Sequence, residues 1–204
     1  MQRPIFQIRS IADIDERDVE ECLRWFPKQQ SERVCGYTSL SRRIETAASY
    51  SLLVEIMRSN GLLQELPLIA YAKGGKPYLE NYPDLHFNLS HCHRYVAVAI
   101  YDKPVGVDIE CRRKVTQSLV KRVCSEAELQ QIAQTDNPDL EFLRIWTRKE
   151  AYLKYTGTGI VEPLCDVPPV VSGQWPVVGG QNSASHEIET HPLPESDGWV
   201  SVCW

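Results

Sequence analysis

Two acids at i,i+2 and a glutamate–lysine pair at i,i+4 are the residues of this 204-residue chain whose spacing is suited to chemistry. The acids stand in Gly106-Val107-Asp108-Ile109-Glu110. On a strand, Asp108 and Glu110 project from one face while Val107 and Ile109 project from the other. The second motif is Trp146-Thr147-Arg148-Lys149-Glu150-Ala151-Tyr152-Leu153-Lys154. On a helix, Trp146, Glu150 and Lys154 step by four residues and share one face. If strand and helix meet, three carboxylates and an ammonium surround one point. That set suits a hard divalent cation holding an anion such as a pyrophosphate. A plainer reading stands beside it: Glu150 and Lys154 as a surface pair contributing a few tenths of a kcal/mol, and Asp108 and Glu110 as the solvated face of an edge strand.

Other residues join this chemistry less specifically. The set Asp108, Glu110 and Glu150 contains none of the soft ligands that zinc or copper favour. His91 and His93 stand at i,i+2, but no third ligand follows them in sequence. Gly74-Gly75-Lys76-Pro77 offers backbone amides and an ammonium to a phosphate or an adenine, and it is equally a solvated turn. It lacks the GxxxxGK[ST] spacing of a P-loop. Lys28, Arg33, Arg42 and Arg43 are basic candidates for a phosphate or plain surface residues. Arg112, Arg113 and Lys114 follow the acidic pair directly, placed to balance its charge or to receive an acidic partner.

The composition narrows the function classes. A net charge of −5 argues against a general nucleic-acid binder. Hydrophobic content of 43% and charged content of 24% are ordinary globular values. No apolar run approaches the length that spans a bilayer, and Met1-Gln2-Arg3-Pro4 does not read as a signal peptide. The seven cysteines are odd in number and form no CxxC pair. Free thiols in a reducing cytoplasm are therefore expected.

The elements that must position these residues follow from periodicity and stop signals. Residues 5–8 read as a strand, 13–26 as an amphipathic helix closed by Pro27, and 41–59 as a long helix stopped at Asn60-Gly61. Residues 86–90, 95–101 and 105–110 read as strands, and 117–124 as a helix. Ser125-Glu126-Ala127-Glu128 is a capping box opening another helix. Residues 140–155 form the helix that carries Glu150 and Lys154, ended by Gly157-Thr158-Gly159. Residues 163–185 read as loop, and 199–204 as a final strand. The order strand–helix–helix–strand occurs before residue 103 and again after it. An α+β fold of two similar lobes, residues 1–102 and 103–204, with a cleft between them, is expected.

Together, Gly75-Lys76-Pro77, Phe87-Asn88-Leu89-Ser90-His91, the Asp108 motif and the Glu150 motif resemble the 4′-phosphopantetheinyl transferases of the surfactin (Sfp) type, in that family's order and near its spacing. The resemblance implies two AcpS-like lobes related by pseudo-two-fold symmetry in a working monomer. It implies a Mg²⁺-dependent transfer of the phosphopantetheine arm of coenzyme A to a serine of an acyl or peptidyl carrier protein, releasing 3′,5′-ADP. Carried over, Asp108, Glu110 and Glu150 hold the metal, Lys154 contacts the phosphates, and Glu150 is the general base. Gly75, Lys76 and Pro77 line the adenine pocket, Ser90 and His91 approach the phosphates, and Arg42 and Arg43 are candidates for the 3′-phosphate. Carrier docking is expected near 115–123, with Arg112 and Arg113 meeting an acidic helix. Cys92 departs from the small hydroxyl residue usual in the family. Glu128 stands where the family often has a glutamate, and its capping role accounts for it. A Mg²⁺-dependent nucleotide pyrophosphate hydrolase and a non-catalytic carrier-binding module are the alternative readings.

Overall fold

The computed structural model describes residues 1–72, 75–159, 163–167 and 186–204. The chain divides into two compact units, Met1–Val105 and Gly106–Trp204. Both mix helices with small antiparallel sheets.

In the first unit, β1 (Ile5–Ser10) and β4 (His86–His91) flank β5 (Tyr95–Tyr101), each antiparallel to it. Every residue of β5 is buried, as expected of a central strand built from Val, Ala, Ile and Tyr. Helix α1 (Glu16–Leu23) starts at a capping box in which Asp15 and Asp18 exchange hydrogen bonds with each other's backbone amides. A hairpin of β2 (Ile69–Tyr71) and β3 (Pro77–Leu79) completes the strands. Helix α3 (Leu40–Ser59) packs on the sheet and buries Tyr50, Leu52, Leu53, Ile56 and Met57. These span more than one face, so α3 is a central helix and not a one-sided surface helix.

The expected helix over 13–26 is shorter than its stripe suggested. It ends at Leu23, and a separate helix α2 (Lys28–Cys35) begins after Pro27. Helix α2 buries only Gln30 and Val34, too few apolar positions to print a period on the sequence. The hairpin strands, three residues each, are likewise too short for one.

The second unit has the same strand order. β6 (Gly106–Cys111) and β7 (Ile188–Pro192) flank β8 (Gly198–Cys203), so in both units the last strand lies between the first and the next-to-last. Helices α4 (Gln117–Val123) and α5 (Glu126–Ala133) lead to α6 (Pro138–Thr156), which lies along β6 and β8. Pro138 opens α6, and Gly157, at φ +71°, closes it in the left-handed conformation that glycine adopts at little cost. Strand β7 escaped the sequence reading because Ile-Glu-Thr-His-Pro has neither β-rich composition nor clean alternation. Of the loop expected over 163–185, residues 168–185 lie outside the described ones.

The helix presses on the sheet most closely at Gly106. A Cβ there would lie 2.0 Å from the Ala151 carbonyl oxygen and 2.4 Å from the Tyr155 nitrogen. On the far side of α6, Lys149 is 1% exposed and donates to the Val123 carbonyl at 2.8 Å, the Leu164 carbonyl at 3.1 Å and Glu128 Oε2 at 2.7 Å. Glu128 also accepts from the Ser125 amide at 2.7 Å, closing the capping box of α5. The sequence signalled the box but not the lysine.

Cys22, Cys35, Cys124, Cys165 and Cys203 are free thiols. Cys92 and Cys111 are not among the free thiols, which corrects the expectation of an all-thiol chain. Whether a thiol stays free depends on its neighbours in space, and sequence spacing does not report them. Among the described residues, no helix is long and apolar enough to cross a membrane.

Gly106→Ala is expected to destabilise the protein by at least ~1–3 kcal/mol, the usual cost of forcing extra volume into a packed interior, because the atoms in the way are backbone. Urea unfolding with an unchanged midpoint would contradict this close approach.

Candidate active site

Strand β6 and helix α6 bring the two motifs together. Lys154 Nζ donates to Asp108 Oδ1 at 2.7 Å and to the Val107 carbonyl at 3.1 Å. The Asp108 side chain is 8% exposed and that of Lys154 28%. A buried aspartate with an ammonium against it is not the solvated edge of the plainer reading. Glu150 sits one turn before Lys154 on the same helix, with its Oε1 buried and bonded to nothing. Glu110, two residues after Asp108 on the strand, is 3.4 Å from Arg113 Nε.

Burial dominates the electrostatics of these acids. The Glu150 carboxyl is pushed above its ordinary range, chiefly by desolvation and next by the charge of Asp108, while Lys154 pulls it back in part. Glu110 is raised too, by desolvation first, with Arg113 opposing. Asp108 and Glu110 both act on Glu150, so three carboxylates share one electrostatic neighbourhood. A like-charged acidic cluster with a buried, unbonded carboxylate oxygen fits a hard cation, which prefers oxygen ligands. Yet no three His, Cys, Asp or Glu side chains among the described residues close into a ready metal cage.

The first unit holds the other predicted residues. The β2–β3 turn carries Gly75 at φ +81°, where its amide bonds the Ala72 carbonyl at 2.8 Å, and Ala72 bonds the Lys76 carbonyl at 3.0 Å. The left-handed backbone explains glycine at 75. Pro77 begins β3 opposite Tyr71. Burial lowers the Lys76 ammonium's pKa below the usual lysine range. Ser90, which is buried, and His91 end β4.

His91 Nδ1 stands 3.3 Å from Oε2 of Glu45, a buried acid of α3 whose other oxygen accepts from Ser41 at 3.1 Å. Sequence reading missed Glu45, since an acid in a mixed helix carries no mark of the strand it will face.

Three of the basic candidates of this unit have side-chain partners nearby. Arg43 Nη1 bonds Glu16 of α1 at 2.9 Å. Lys28 stands 3.7 Å from Glu32, both exposed. The Arg33 guanidinium lies over the Tyr71 ring, 4.1 Å from its centroid. Arg42 offers its carbonyl to Thr46 at 2.7 Å.

A buried acidic cluster beside a lysine, on a strand and a helix of an α+β unit, is made of residue types that suit a hard cation and an anion. Comparison with known proteins narrows that chemistry. The model of the 4′-phosphopantetheinyl transferase superfamily matches residues 104–190, the stretch that contains the Asp108 and Glu150 motifs. A 4′-phosphopantetheinyl transferase of Bacillus subtilis is 31% identical over 170 residues, covering 80% of this chain and 70% of its own length. The transferase Sfp of Bacillus subtilis strain 168 is 30% identical over 169 residues with the same coverage. The L-aminoadipate-semialdehyde dehydrogenase-phosphopantetheinyl transferase of Saccharomyces cerevisiae is 31% identical over 173 residues, covering 76% of this chain and 62% of its own length. The chain belongs to the 4′-phosphopantetheinyl transferase family, in its Sfp-type branch.

The raised Glu150 carboxyl makes a prediction for the metal-free protein. Because the fold favours its protonated form, stability falls as pH rises from the unfolded value of 4.5 through the higher folded one, and the loss is complete above it. In EDTA at pH 8, Glu150→Gln should therefore melt above wild type, by roughly 2–4 °C for each kcal/mol relieved. The difference should shrink toward zero as the pH falls below 4.5. A variant melting below wild type at pH 8 would contradict the crowding.

Proposed function

We propose that this chain is a 4′-phosphopantetheinyl transferase of the holo-[acyl-carrier-protein] synthase type. It moves the phosphopantetheine arm of coenzyme A onto a serine of an acyl or peptidyl carrier protein. The observation that carries this reading is the Lys154–Asp108 contact, with the buried, unbonded Oε1 of Glu150 one helical turn away, in a chain of this family.

In the proposed reaction the carrier's serine Oγ forms a bond to the phosphorus that bears the pantetheine arm. The bond from that phosphorus to the bridging oxygen breaks, and 3′,5′-ADP leaves with the electron pair. Glu150 takes the serine proton. Its Oε1 is buried and bonded to nothing, so an acceptor oxygen is available for that proton. Lys154 offers an ammonium to the phosphate oxygens as charge builds up on the leaving group. Asp108, Glu110 and Glu150 are the residues proposed to hold Mg²⁺. When bound, the cation would neutralise the pyrophosphate and stabilise the leaving oxygen.

The remaining assignments belong to the same proposal. Gly75, Lys76 and Pro77 receive the adenine, Ser90 and His91 the phosphates, and Arg42 and Arg43 the 3′-phosphate. Arg43 would then have to serve both the ligand and Glu16. The proposal also takes the protein as a cytoplasmic monomer of two lobes of one kind, residues 1–102 and 103–204. The strand order common to both units supports such lobes.

Intact mass of an apo carrier protein incubated with this protein, coenzyme A and Mg²⁺ tests the reading. The expected result is a gain of one phosphopantetheine group that EDTA abolishes. Hydrolysis of coenzyme A with no gain on several unrelated carriers would favour the pyrophosphate hydrolase. Neither gain nor hydrolysis would favour the binding module. In the same assay Glu150→Gln should fold normally and lose at least ~100-fold in turnover. Asp108→Ala should raise the Mg²⁺ concentration for half-maximal rate by ~10-fold or more; an unchanged titration would remove Asp108 from the metal's ligands.

A further inference from the structure

A chain of three hydroxyls crosses the interior of the second unit. Thr147 Oγ1 on α6 is 2.9 Å from Ser201 Oγ on β8, and Ser201 Oγ is 3.0 Å from Thr190 Oγ1 on β7. Thr147 and Ser201 are both 0% exposed. Thr147 also bonds the Arg144 carbonyl of its own helix at 3.2 Å. Buried hydroxyls are costly unless hydrogen-bonded, and valine or alanine would fill the same space without that demand. Stability alone does not call for hydroxyls here.

Their place on the sheet relates them to the acids. In an antiparallel pair, residues directly opposite share a face. Ser201 is opposite Asp108 on one side and opposite Thr190 on the other. Asp108, Ser201 and Thr190 thus form one row across the face that α6 covers. Trp199, two residues before Ser201 on the same face, donates from Nε1 to the Leu140 carbonyl at 2.9 Å. Helix α6 is therefore tied to the sheet at Leu140, Thr147 and Lys154, two turns apart each time and on one helix face. Apolar packing between these ties is non-directional and tolerates small slides of the helix. Directional bonds do not.

We propose that Thr147 is a positioning residue for the transferase reaction. By bonding Ser201 it sets the height of α6 over the sheet, and so the placement of Glu150, one turn further on, and of Lys154 against Asp108. The claim about turnover rests on the transferase reading; the claim about geometry does not.

The test compares Thr147→Val with Thr147→Ser in the full chain. Valine has nearly the same shape, and Ser201 keeps Thr190 as a partner, so no orphan hydroxyl is created. A misplacement of about 1 Å costs on the order of 10²-fold in rate. T147V should therefore lose ~10-fold or more in kcat, with KM for coenzyme A and melting temperature nearly unchanged, and T147S should recover most of the rate. Retained kcat in T147V, or T147S as slow as T147V, would overturn the proposal. So would a rate loss that only tracks a lower melting temperature.

A second readout needs no turnover. The NMR signal of the Lys154 ammonium reports its bond to Asp108. It should shift or broaden in T147V and match wild type in T147S; a wild-type signal in T147V would overturn the geometry. Wild-type protein that modifies no carrier would refute the transferase reading while this signal still decides the placement. Should T147V fail to fold, Ser201→Ala cuts the same bond while Thr147 keeps the Arg144 carbonyl. The same changes in kcat and in the lysine signal are expected, and their absence overturns the proposal.

Discussion

The second unit depends on how closely α6 lies on β6. At Gly106 the helix backbone occupies the space that any side chain would need. Without that approach the Lys154 ammonium would not reach both the Val107 carbonyl and the Asp108 carboxylate. The same contact sets where Glu150 stands, because helix geometry relates it rigidly to Lys154. A glycine with no chemistry of its own thus permits the close approach on which the spacing of the acids and the lysine depends.

The opposite side of α6 is held by a different kind of force. Lys149 and Glu128 form an ion pair with 1% and 3% exposure. Desolvating two charges is expensive, and such a pair is tolerable only when the remaining polar sites are bonded. Here they are: Lys149 has two carbonyls besides the carboxylate, and Glu128 has the Ser125 amide and hydroxyl. The pair joins the end of α4, the start of α5, α6 and the Leu164–Asp166 turn at one point. Glu128 has structural work enough without a role in the reaction. By contrast, Glu150 has one buried oxygen with no partner and a carboxyl pushed upward by its surroundings. One glutamate is satisfied and the other is left with unmet demand, and unmet demand in a buried acid is what a ligand answers.

The two units share a strand order. Each lays a long helix on a three-stranded antiparallel sheet whose last strand is central. Their polar residues differ. Helix α6 presents Thr147, Glu150 and Lys154 to a row containing Asp108, whereas α3 presents Glu45 to His91. An acidic cluster with a lysine suits a cation-bound anion. The chemical asymmetry therefore lies in side chains on a shared framework.

By itself the sequence determined what is local. The Asp108–Glu110 and Glu150–Lys154 spacings, the Ser125–Glu128 box, the stop at Gly157 and the buried run of β5 all follow from periods and caps acting over a few residues. The family was also legible, because its motifs are short and contiguous. Only the tertiary structure decided which distant groups meet. Lys154 and Asp108 are 46 residues apart in sequence, Thr147 and Ser201 are 54, and Lys149 and Glu128 are 21. Helix α2 and strand β7 belong with these, since their polar residues become helix and strand only through the elements they pack against. Short-range preferences are written in neighbouring residues, but the pairing of buried charges and hydroxyls is selected by which arrangement leaves fewest of them unsatisfied, and that sum exists only once the chain has folded.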